Sequence, residues 1–356
     1  MVRLAVAVLF LASVVAAGVV DDRQDGPPSR VASTATSTTT TTTAPETTTT
    51  TAVPVTEAPT TTAAPTTTLP PVTPAPTAVA PVPQPAGDVK VLVTPSGVVV
   101  PVTGREASGY RVTTPCGRSA VVADGTPVTD ADVVLDAGHG GKEPGAISPT
   151  GLSEKGINLA VVDHARAALE QAGVRTVRTR TGDYRVTIAT RTDIVKALKP
   201  KAFVSVHHNA EPDGPRDGPG SETYYQIASP ESKRLAGLIY EETVKALAAY
   251  QIPWVADSDA GAKYRTNVNG DDYYGILRNA KGVISALAEL AFVSNPPEAD
   301  LLVRPDVQKV EGEALARAIL RFLNTRDPGS GFTEPYPRTS PAGGGGGSSN
   351  CADPAL

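Results

Sequence analysis

Four side chains from separate parts of the chain have the chemistry to bind and use a metal ion: His139, Glu154, His207 and Glu289. His139 and His207 each follow an apolar run, and they are two of only four histidines in the chain. Two imidazoles and one carboxylate form the ligand set of a catalytic zinc site, in which a fourth position stays open for water. A further carboxylate can move protons for that water. We therefore expect these four residues to lie together.

The segment from 131 to 325 carries the elements that must position these side chains. Apolar, strand-like runs alternate along it with helical patterns, which predicts an α/β fold with a mostly parallel or mixed central sheet covered by helices. Folds of this kind place their chemistry in loops at the strand ends. The predicted strands are 133–136, 174–179, 202–207, 221–227 and 284–289, and the predicted helices are 154–172, 187–198, 230–250 and 306–323.

Three kinds of sequence precede this segment. Residues 1–20 combine Arg3 with an uncharged apolar run, which indicates either a cleaved signal peptide or a retained signal anchor. Residues 33–87 are almost entirely Thr, Pro, Ala and Val and are predicted to form a disordered linker. Residues 88–130 contain short Val-rich runs separated by turns, which predicts a small β-rich unit packed on the main domain.

The end of the chain, its two cysteines and its net charge add three further expectations. Residues 326–356 are rich in Gly, Ser and Pro and are predicted to form a disordered tail. The two cysteines, Cys116 and Cys351, either form a disulfide in an oxidising compartment or remain as free thiols. A net charge of −5 without a basic block gives no support to nucleic-acid binding.

Five short motifs follow one another through the main segment. The first two are Val133-Val-Leu-Asp-Ala-Gly-His-Gly-Gly-Lys-Glu-Pro-Gly-Ala-Ile147 and Gly151-Leu-Ser-Glu-Lys-Gly-Ile-Asn-Leu159. Thr179-Arg-Thr-Gly-Asp183 with Arg191, Ser205-Val-His-His-Asn-Ala210 and Ala288-Glu-Leu-Ala-Phe-Val-Ser-Asn-Pro296 come next. In this order they resemble the motifs of zinc-dependent N-acetylmuramoyl-L-alanine amidases of type 3. Each motif alone is short, but five in register are specific.

The resemblance implies a role for each of the four residues. It implies that His139, Glu154 and His207 hold one zinc ion and that Glu289 is the catalytic carboxylate. The implied substrate is peptidoglycan, cut between N-acetylmuramic acid and L-alanine. Two alternatives stay open: Glu154 could be no more than an acidic residue favouring a helix N-terminus, and Glu143 is a rival carboxylate.

Three neighbours of these residues are weaker candidates for a place beside the metal ligands or in the substrate cleft: Asp136, His208 and Asn209. Asp136 could orient His139 or could equally hold the end of its strand. His208 stands where the resembled family usually has a small residue. Because neighbouring strand residues face opposite sides, His207 and His208 should not readily share a metal. His164, within a predicted helix, is expected to be a packing histidine.

Regulation and location also follow as expectations. Some members of the resembled family carry a helical insert that blocks the cleft, but residues 257–274 predict only a polar loop here. We therefore expect an open cleft, no obligatory activator and a monomer. The protein is expected to be exported to the cell wall, periplasm or extracellular space, and to meet the membrane only if residues 1–20 are retained. There it would serve cell separation or wall remodelling.

Two other function classes stay open. One is another exported zinc peptidase acting on wall peptides, although a His-Glu-x-x-His motif is absent from the sequence. The other is a non-catalytic wall-binding protein, although a degenerate binder should have lost a ligand or the fourth carboxylate.

Overall fold

The computed structural model describes residues 88–258, 260–335 and 350–356. All of these residues belong to one compact unit, residues 79–356. The predicted export signal (1–20) and linker (33–87) lie outside the described residues. None of the helices in the described part is both long and apolar enough to span a membrane.

A five-stranded antiparallel sheet forms the predicted β-rich unit at the start of the described chain. Its strands are Val91–Val93 (β1), Val99–Glu106 (β2), Gly109–Thr113 (β3), Ser119–Val122 (β4) and Thr126–Val128 (β5), in the spatial order β4-β3-β2-β1-β5. Side chains alternate between its faces. Leu92 and Val100 join a core of its own, whereas Val91 and Val99 pack on the main domain.

The central sheet of the main domain has six strands and is mixed, as predicted. Its strands are Val133–Ala137 (β6), Thr176–Arg178 (β7), Ala202–Asn209 (β8), Glu222–Tyr225 (β10), Gly261–Lys263 (β12) and Ser285–Phe292 (β13), and a separate pair is formed by Pro215–Arg216 (β9) and Trp254–Val255 (β11). The spatial order is β12-β10-β13-β8-β6-β7. Only the β10–β13 pair is antiparallel, and the other neighbours run parallel.

Helices cover both faces of this sheet, which confirms the α/β fold. They are Glu154–Gln171 (α1), Ile188–Leu198 (α2), Pro230–Leu247 (α3), Gly275–Asn279 (α4), Pro296–Leu302 (α5) and Pro305–Asn324 (α6). Helices α1, α3 and α6 enclose the larger apolar core against one face. Helices α2 and α4, together with the small β sheet, enclose a second core against the other face.

Capping residues in the sequence mark the ends of two long helices, α1 and α3. Ser229 caps α3 by accepting a hydrogen bond from the Ser232 amide at 3.1 Å, and Pro230 occupies the first helical position. The N-cap of α1 is Ser153, although its side chain makes no capping hydrogen bond. Gly173 follows α1 with a φ of +80°, the left-handed conformation that favours glycine after a helix.

The predicted polar loop over residues 257–274 is wrong at its centre. Gly261–Lys263 form β12, a buried edge strand paired with β10. The sequence Gly-Ala-Lys does not suggest a buried strand, because lysine is rarely buried unless its charge is paired. In the described part of 257–274, which lacks residue 259, no helix occurs. The short helices α4 and α5 were also not predicted.

The predicted disordered tail is wrong at its near end. Within residues 326–335, the stretch 331–333 lies along the edge of the sheet, where Phe332 forms a parallel bridge with Ala262. The Ala262 amide donates to Gly331 O at 2.8 Å, and the Thr333 amide donates to Ala262 O at 3.1 Å. The segment thus continues the sheet beyond β12, a role that its Gly- and Pro-rich composition does not reveal.

The far end of the tail is also ordered. Cys351 forms a disulfide with Cys116 across 235 residues of sequence. Asp353 accepts hydrogen bonds from the Cys116 amide at 2.7 Å and from Arg118 Nε at 2.9 Å, and Leu356 packs on the core of the small β sheet. The segment 350–356 is therefore anchored to the small sheet by one covalent bond and several polar ones.

Candidate metal centre

The loop after β6 brings His139 to the end of the sheet in an unusual backbone conformation. Strand β6 is buried throughout, and the chain turns sharply where it ends. His139 has a φ of +60°, a left-handed conformation that few residues other than glycine adopt. Gly140 and Gly141 follow with φ of +129° and +57°. Such strain persists only where surrounding contacts impose it.

Two buried arginines supply those contacts. Arg191 donates from Nη2 to the carbonyl oxygen of His139 at 2.6 Å. Arg180 donates from Nη2 to Gly138 O at 2.9 Å and from Nε to Ala137 O at 2.8 Å. Burial lowers the pKa of Arg180 to about 10, so this guanidinium remains charged at neutral pH. Three consecutive carbonyls before and at His139 are thereby fixed.

Glu154, the first residue of α1, places its carboxylate between the two histidines. Its Oε2 lies 3.2 Å from Nε2 of His139, and its Oε1 lies 2.9 Å from Nδ1 of His207. The Ala146 amide donates to Oε2 at 2.8 Å, and the His208 amide lies 3.2 Å from Oε1. The Glu154 side chain is 4% exposed, so its orientation is set by these partners.

The ligand atoms of His139, Glu154 and His207 all lie within 4.8 Å of one another. The two imidazole rings meet edge to face, with centroids 4.8 Å apart. Glycine makes this convergence sterically feasible, because a Cβ on Gly138 would lie 2.2 Å from the His207 ring. A Cβ on Gly145 would lie 2.3 Å from Oε2 of Glu154.

This arrangement fits a zinc ion. Two nitrogens and one carboxylate oxygen are donors that zinc accepts, and ligands of a tetrahedral zinc stand about 3.3 Å apart when each bond is about 2.0–2.1 Å. Each histidine lies close to that spacing from a different oxygen of Glu154, His139 at 3.2 Å from Oε2 and His207 at 2.9 Å from Oε1. The structure therefore contains a His-Glu-His cluster able to hold a metal ion.

The surroundings of the cluster favour the protonation states that a metal requires. Burial alone would raise the pKa of Glu154, but its contacts with His139 and His207 hold that pKa well below its usual value. Burial lowers the pKa of His207, and Glu154 opposes this only in part. A charged carboxylate beside a neutral imidazole is the state that can coordinate zinc.

Glu289 lies one strand away from the cluster. On β13 it is the register partner of His207 on β8, so both side chains stand on the same face of the sheet. It is half-buried, and the strand register shifts immediately after it. Glu289 is thus beside the cluster and separate from the three grouped donors.

On its other side Glu289 adjoins a buried charged cluster that sequence reasoning missed. The register partner of Glu289 on β10 is Glu222. Oε2 of Glu222 lies 3.4 Å from Lys263 Nζ and 3.7 Å from Arg265 Nη2. Burial raises the pKa of the adjacent Tyr274, an effect that Arg265 opposes and Glu289 reinforces. The sequence signal for this cluster was the alternate spacing of Lys263 and Arg265 within the predicted polar loop, a spacing typical of one face of a strand.

Asp136 does not contact His139 directly. It is buried at the end of β6, where Ser205 Oγ donates to Oδ2 at 2.6 Å, and it also pairs with Thr179 and Arg191. Through Arg191 it supports the backbone of His139. These contacts hold the Asp136 carboxylate at the end of β6. Arg191 belongs to the third motif, which by itself assigns it no role. The sequence signal for Arg191 is Asp136, because a carboxylate at the end of an apolar run needs a cationic partner if it is buried.

Of the two residues after His207, His208 lies on the opposite face of β8, and Asn209 returns to the face of His207. His208 is fully buried between α1 and α6 and contacts Asn158 and Glu311. The side chain of His208 is 0% exposed and so does not line a cleft, which was one of its two expected places. Asn209 uses its side-chain oxygen to accept the Ala210 amide at 2.9 Å.

The rival carboxylate Glu143 has a structural partner. Its Oε1 lies 2.9 Å from Nη2 of Arg185, and its backbone forms a bridge with Gly140. It braces the loop that carries His139 and is not one of the three grouped donors. His164 is half-buried on α1 where that helix crosses α6, in agreement with a packing role.

Comparison with known proteins identifies the class. The family model described as N-acetylmuramoyl-L-alanine amidase matches residues 133–321, and the chain belongs to that family. The match begins at β6 and ends within α6, so it covers every residue of the His-Glu-His cluster and Glu289.

Individual relatives are similar over the same region. The uncharacterized protein YqiI of Bacillus subtilis (strain 168) is 33% identical over 207 residues, covering 58% of this chain and 88% of that protein. The N-acetylmuramoyl-L-alanine amidase AmiC of Neisseria meningitidis is 27% identical over 54% of this chain, and the chain spans 53% of its length. The solved structure of amidase AmiC2 of Nostoc punctiforme is 30% identical, with a TM-score of 0.45 over 54% of this chain and 96% of that one.

Proposed function

We propose that this protein is a peptidoglycan hydrolase that uses zinc-activated water to cut the amide bond between N-acetylmuramic acid and the L-alanine of the stem peptide. The observation that carries the proposal is the convergence of His139, Glu154 and His207 with Glu289 as the next residue across the sheet. Membership of the amidase family supports the reaction class.

His139, Glu154 and His207 would hold one zinc ion per catalytic domain. In a site of this type, zinc lowers the pKa of bound water towards about 7 and polarises the scissile carbonyl. The protein's own contribution is to keep the three donors in place. The arginines behind His139 and the amides around Glu154 support that role because they fix the donors before a metal arrives.

Glu289 would act as the general base and then as the general acid. As a base its carboxylate takes a proton from the attacking water, and as an acid it returns that proton to the leaving nitrogen of L-alanine. The carbon–nitrogen bond breaks, the lactyl group of the sugar gains a carboxylate, and the stem peptide gains an amino terminus. Its place beside His207, half-buried, supports this role.

The setting of the reaction is outside the cytoplasm in this proposal. One relative is named a germination-specific amidase and another a probable cell wall amidase. The disulfide Cys116–Cys351 is of a kind that persists in oxidising compartments. We propose an exported protein that acts on the wall as a monomer. We further propose that its cleft is open without an activator, because the described part of 257–274 contains no helix.

Digestion of purified peptidoglycan tests the proposal. The full chain loaded with zinc should release intact stem peptides with a free L-alanine amino terminus, identified by mass spectrometry. Cleavage within the stem peptide would indicate a peptidase instead, and tight wall binding without cleavage would indicate a binding protein. Either result would refute the amidase assignment.

A pair of matched variants tests the assigned carboxylate. Glu289→Gln should abolish peptide release while one zinc ion per chain remains bound. Glu143→Gln is the control, because Glu143 is paired with Arg185 and lies outside the grouped donors. It should retain most activity. Full activity of Glu289→Gln would remove Glu289 from the mechanism.

A further inference from the structure

A buried polar network runs behind Glu154, away from the substrate side. Asn158, one turn along α1, donates from Nδ2 to Oε1 of Glu154 at 3.0 Å. Its Oδ1 lies 2.8 Å from Nδ1 of His208. Nε2 of His208 lies 3.3 and 3.4 Å from the two oxygens of Glu311 on α6. The network therefore links one candidate metal ligand to α1, β8 and α6.

Every member of the network is removed from solvent. The side chains of His208 and Glu311 are 0% exposed, and Asn158 is fully buried. Buried polar groups of this kind are expensive unless each one has a partner. Fully satisfied networks hold their members in one arrangement. The site thus gains a rigid support that does not touch the substrate side.

The contacts also fix which way the Asn158 amide points. An ionised carboxylate, the form in which Glu154 would bind zinc, can only accept a hydrogen bond, and the Asn158 nitrogen faces it at 3.0 Å. The Asn158 oxygen then faces His208, which must donate from Nδ1. A reversed amide would set two oxygens against each other. His208 therefore selects the amide orientation that supports Glu154.

Close helix packing brings Glu311 to this position. Gly312, the next residue on α6, lies against α1, where a Cβ would come within 2.7 Å of Val161 O and 2.5 Å of His164 Cβ. Only glycine allows the two helices to approach so closely. The approach places the Glu311 carboxylate beside His208.

We propose that His208 is a positioning residue for the metal centre, which orients Asn158 so that its amide holds the Glu154 carboxylate ready for zinc. This rests on the proposed function only in taking His139, Glu154 and His207 as the zinc ligands. Partners behind metal ligands typically contribute about 10–100-fold in metal affinity.

The test is the zinc affinity of the metal-free full chain, measured by competition with a chromogenic chelator. His208→Asn keeps an amide nitrogen where Nδ1 stood and should stay within about threefold of the wild type. His208→Gln keeps a nitrogen near Nε2 instead, loses the contact with Asn158, and should bind zinc about 10-fold or more weakly. His208→Ala should resemble His208→Gln.

A second histidine on the same helix interface provides the control. His164→Ala removes a half-buried ring at the contact of α1 with α6 without touching the network, and it should leave zinc affinity unchanged. Equal affinities for His208→Asn and His208→Gln would overturn the inference, as would an equal loss in His164→Ala. Thermal melting of the metal-free proteins separates unfolding from a weaker site. Peptidoglycan digestion is scored separately, so a chain that binds zinc without cutting would refute the function alone.

Discussion

Glu289 and His207 are register partners on adjacent parallel strands, so their separation is set by the hydrogen bonding of the sheet and not by a loop. A slip of one residue in β13 would turn Glu289 to the opposite face. The pairing of β13 with β8 thus holds the proposed catalytic carboxylate and one proposed metal ligand at a fixed spacing.

Shortening Glu289 tests that spacing. Glu289→Asp keeps the charge but withdraws the carboxylate by one methylene, and a misplacement of about 1 Å can cost about 100-fold in rate. We expect kcat on a soluble muropeptide to fall by about that factor while KM and bound zinc stay unchanged. A rise in KM with unchanged kcat would instead place Glu289 in substrate binding.

Gly138 should be essential for the shape of the metal centre. Gly138→Ala would put a methyl group 2.2 Å from the His207 ring, so the imidazole must move. We expect zinc affinity to fall at least about 10-fold, measured by chelator competition. Gly156→Ala is the control, because its added Cβ would meet only Ser153 Oγ at 3.9 Å and alanine favours a helix. Equal zinc affinities in the two variants would contradict the prediction.

The Asp136–Arg191 pair should make stability depend on pH. Burial alone would raise the pKa of Asp136, but Arg191, Ser205 and Thr179 lower it below its ordinary value. A carboxylate with a lowered folded pKa contributes stability above its unfolded pKa of about 3.9, and that contribution is lost as pH falls through the folded value.

Asp136→Asn tests this. Breaking one partner of a buried pair costs about 3–5 kcal/mol, so the variant should be less stable than the wild type by that order at pH 7. Urea unfolding followed by circular dichroism should show the gap narrowing below a pH of about 4. A gap that stays constant with pH would mean that the charge of Asp136 is not the cause.

The disulfide should stabilise the unit strongly. Closing a loop as long as the one between Cys116 and Cys351 removes entropy from the unfolded chain, and native disulfides typically contribute about 2–4 kcal/mol. Cys351→Ser should lower the unfolding free energy by roughly that amount. Adding reductant to the wild type should produce the same decrease, and adding it to the variant should change nothing. An effect of reductant on the variant would point to another cause.

Much of the site was predictable because its residues sit at the ends of apolar runs. Buried strands such as β6 and β8 reveal themselves by continuous hydrophobicity, and parallel strands bring His139 and His207 to one edge of the sheet. The supports were less visible. Arg180 and Arg191 belong to the third motif, but the motif does not reveal that they bind the backbone carbonyls of residues 138 and 139.

Elements whose charged side chains are buried in pairs were harder still to predict from the sequence. Strand β12 carries Lys263, whose buried Nζ lies 3.4 Å from Oε2 of Glu222 on β10. The two come from distant parts of the chain, so neither predicts the other. The near end of the tail was missed for a related reason: Phe332 acquires its partner Ala262 only in the folded molecule. The disulfide of Cys351 with Cys116, in contrast, was one of the two states expected from the sequence.

The bond between Cys116 and Cys351 closes a loop of the chain that contains the whole amidase segment, residues 133–321. A protease that nicked the chain anywhere between these cysteines would leave two pieces joined by sulfur. Where proteases are present, a molecule cut once would therefore remain two fragments joined by the disulfide, and they would separate only after a reductant cleaved that bond.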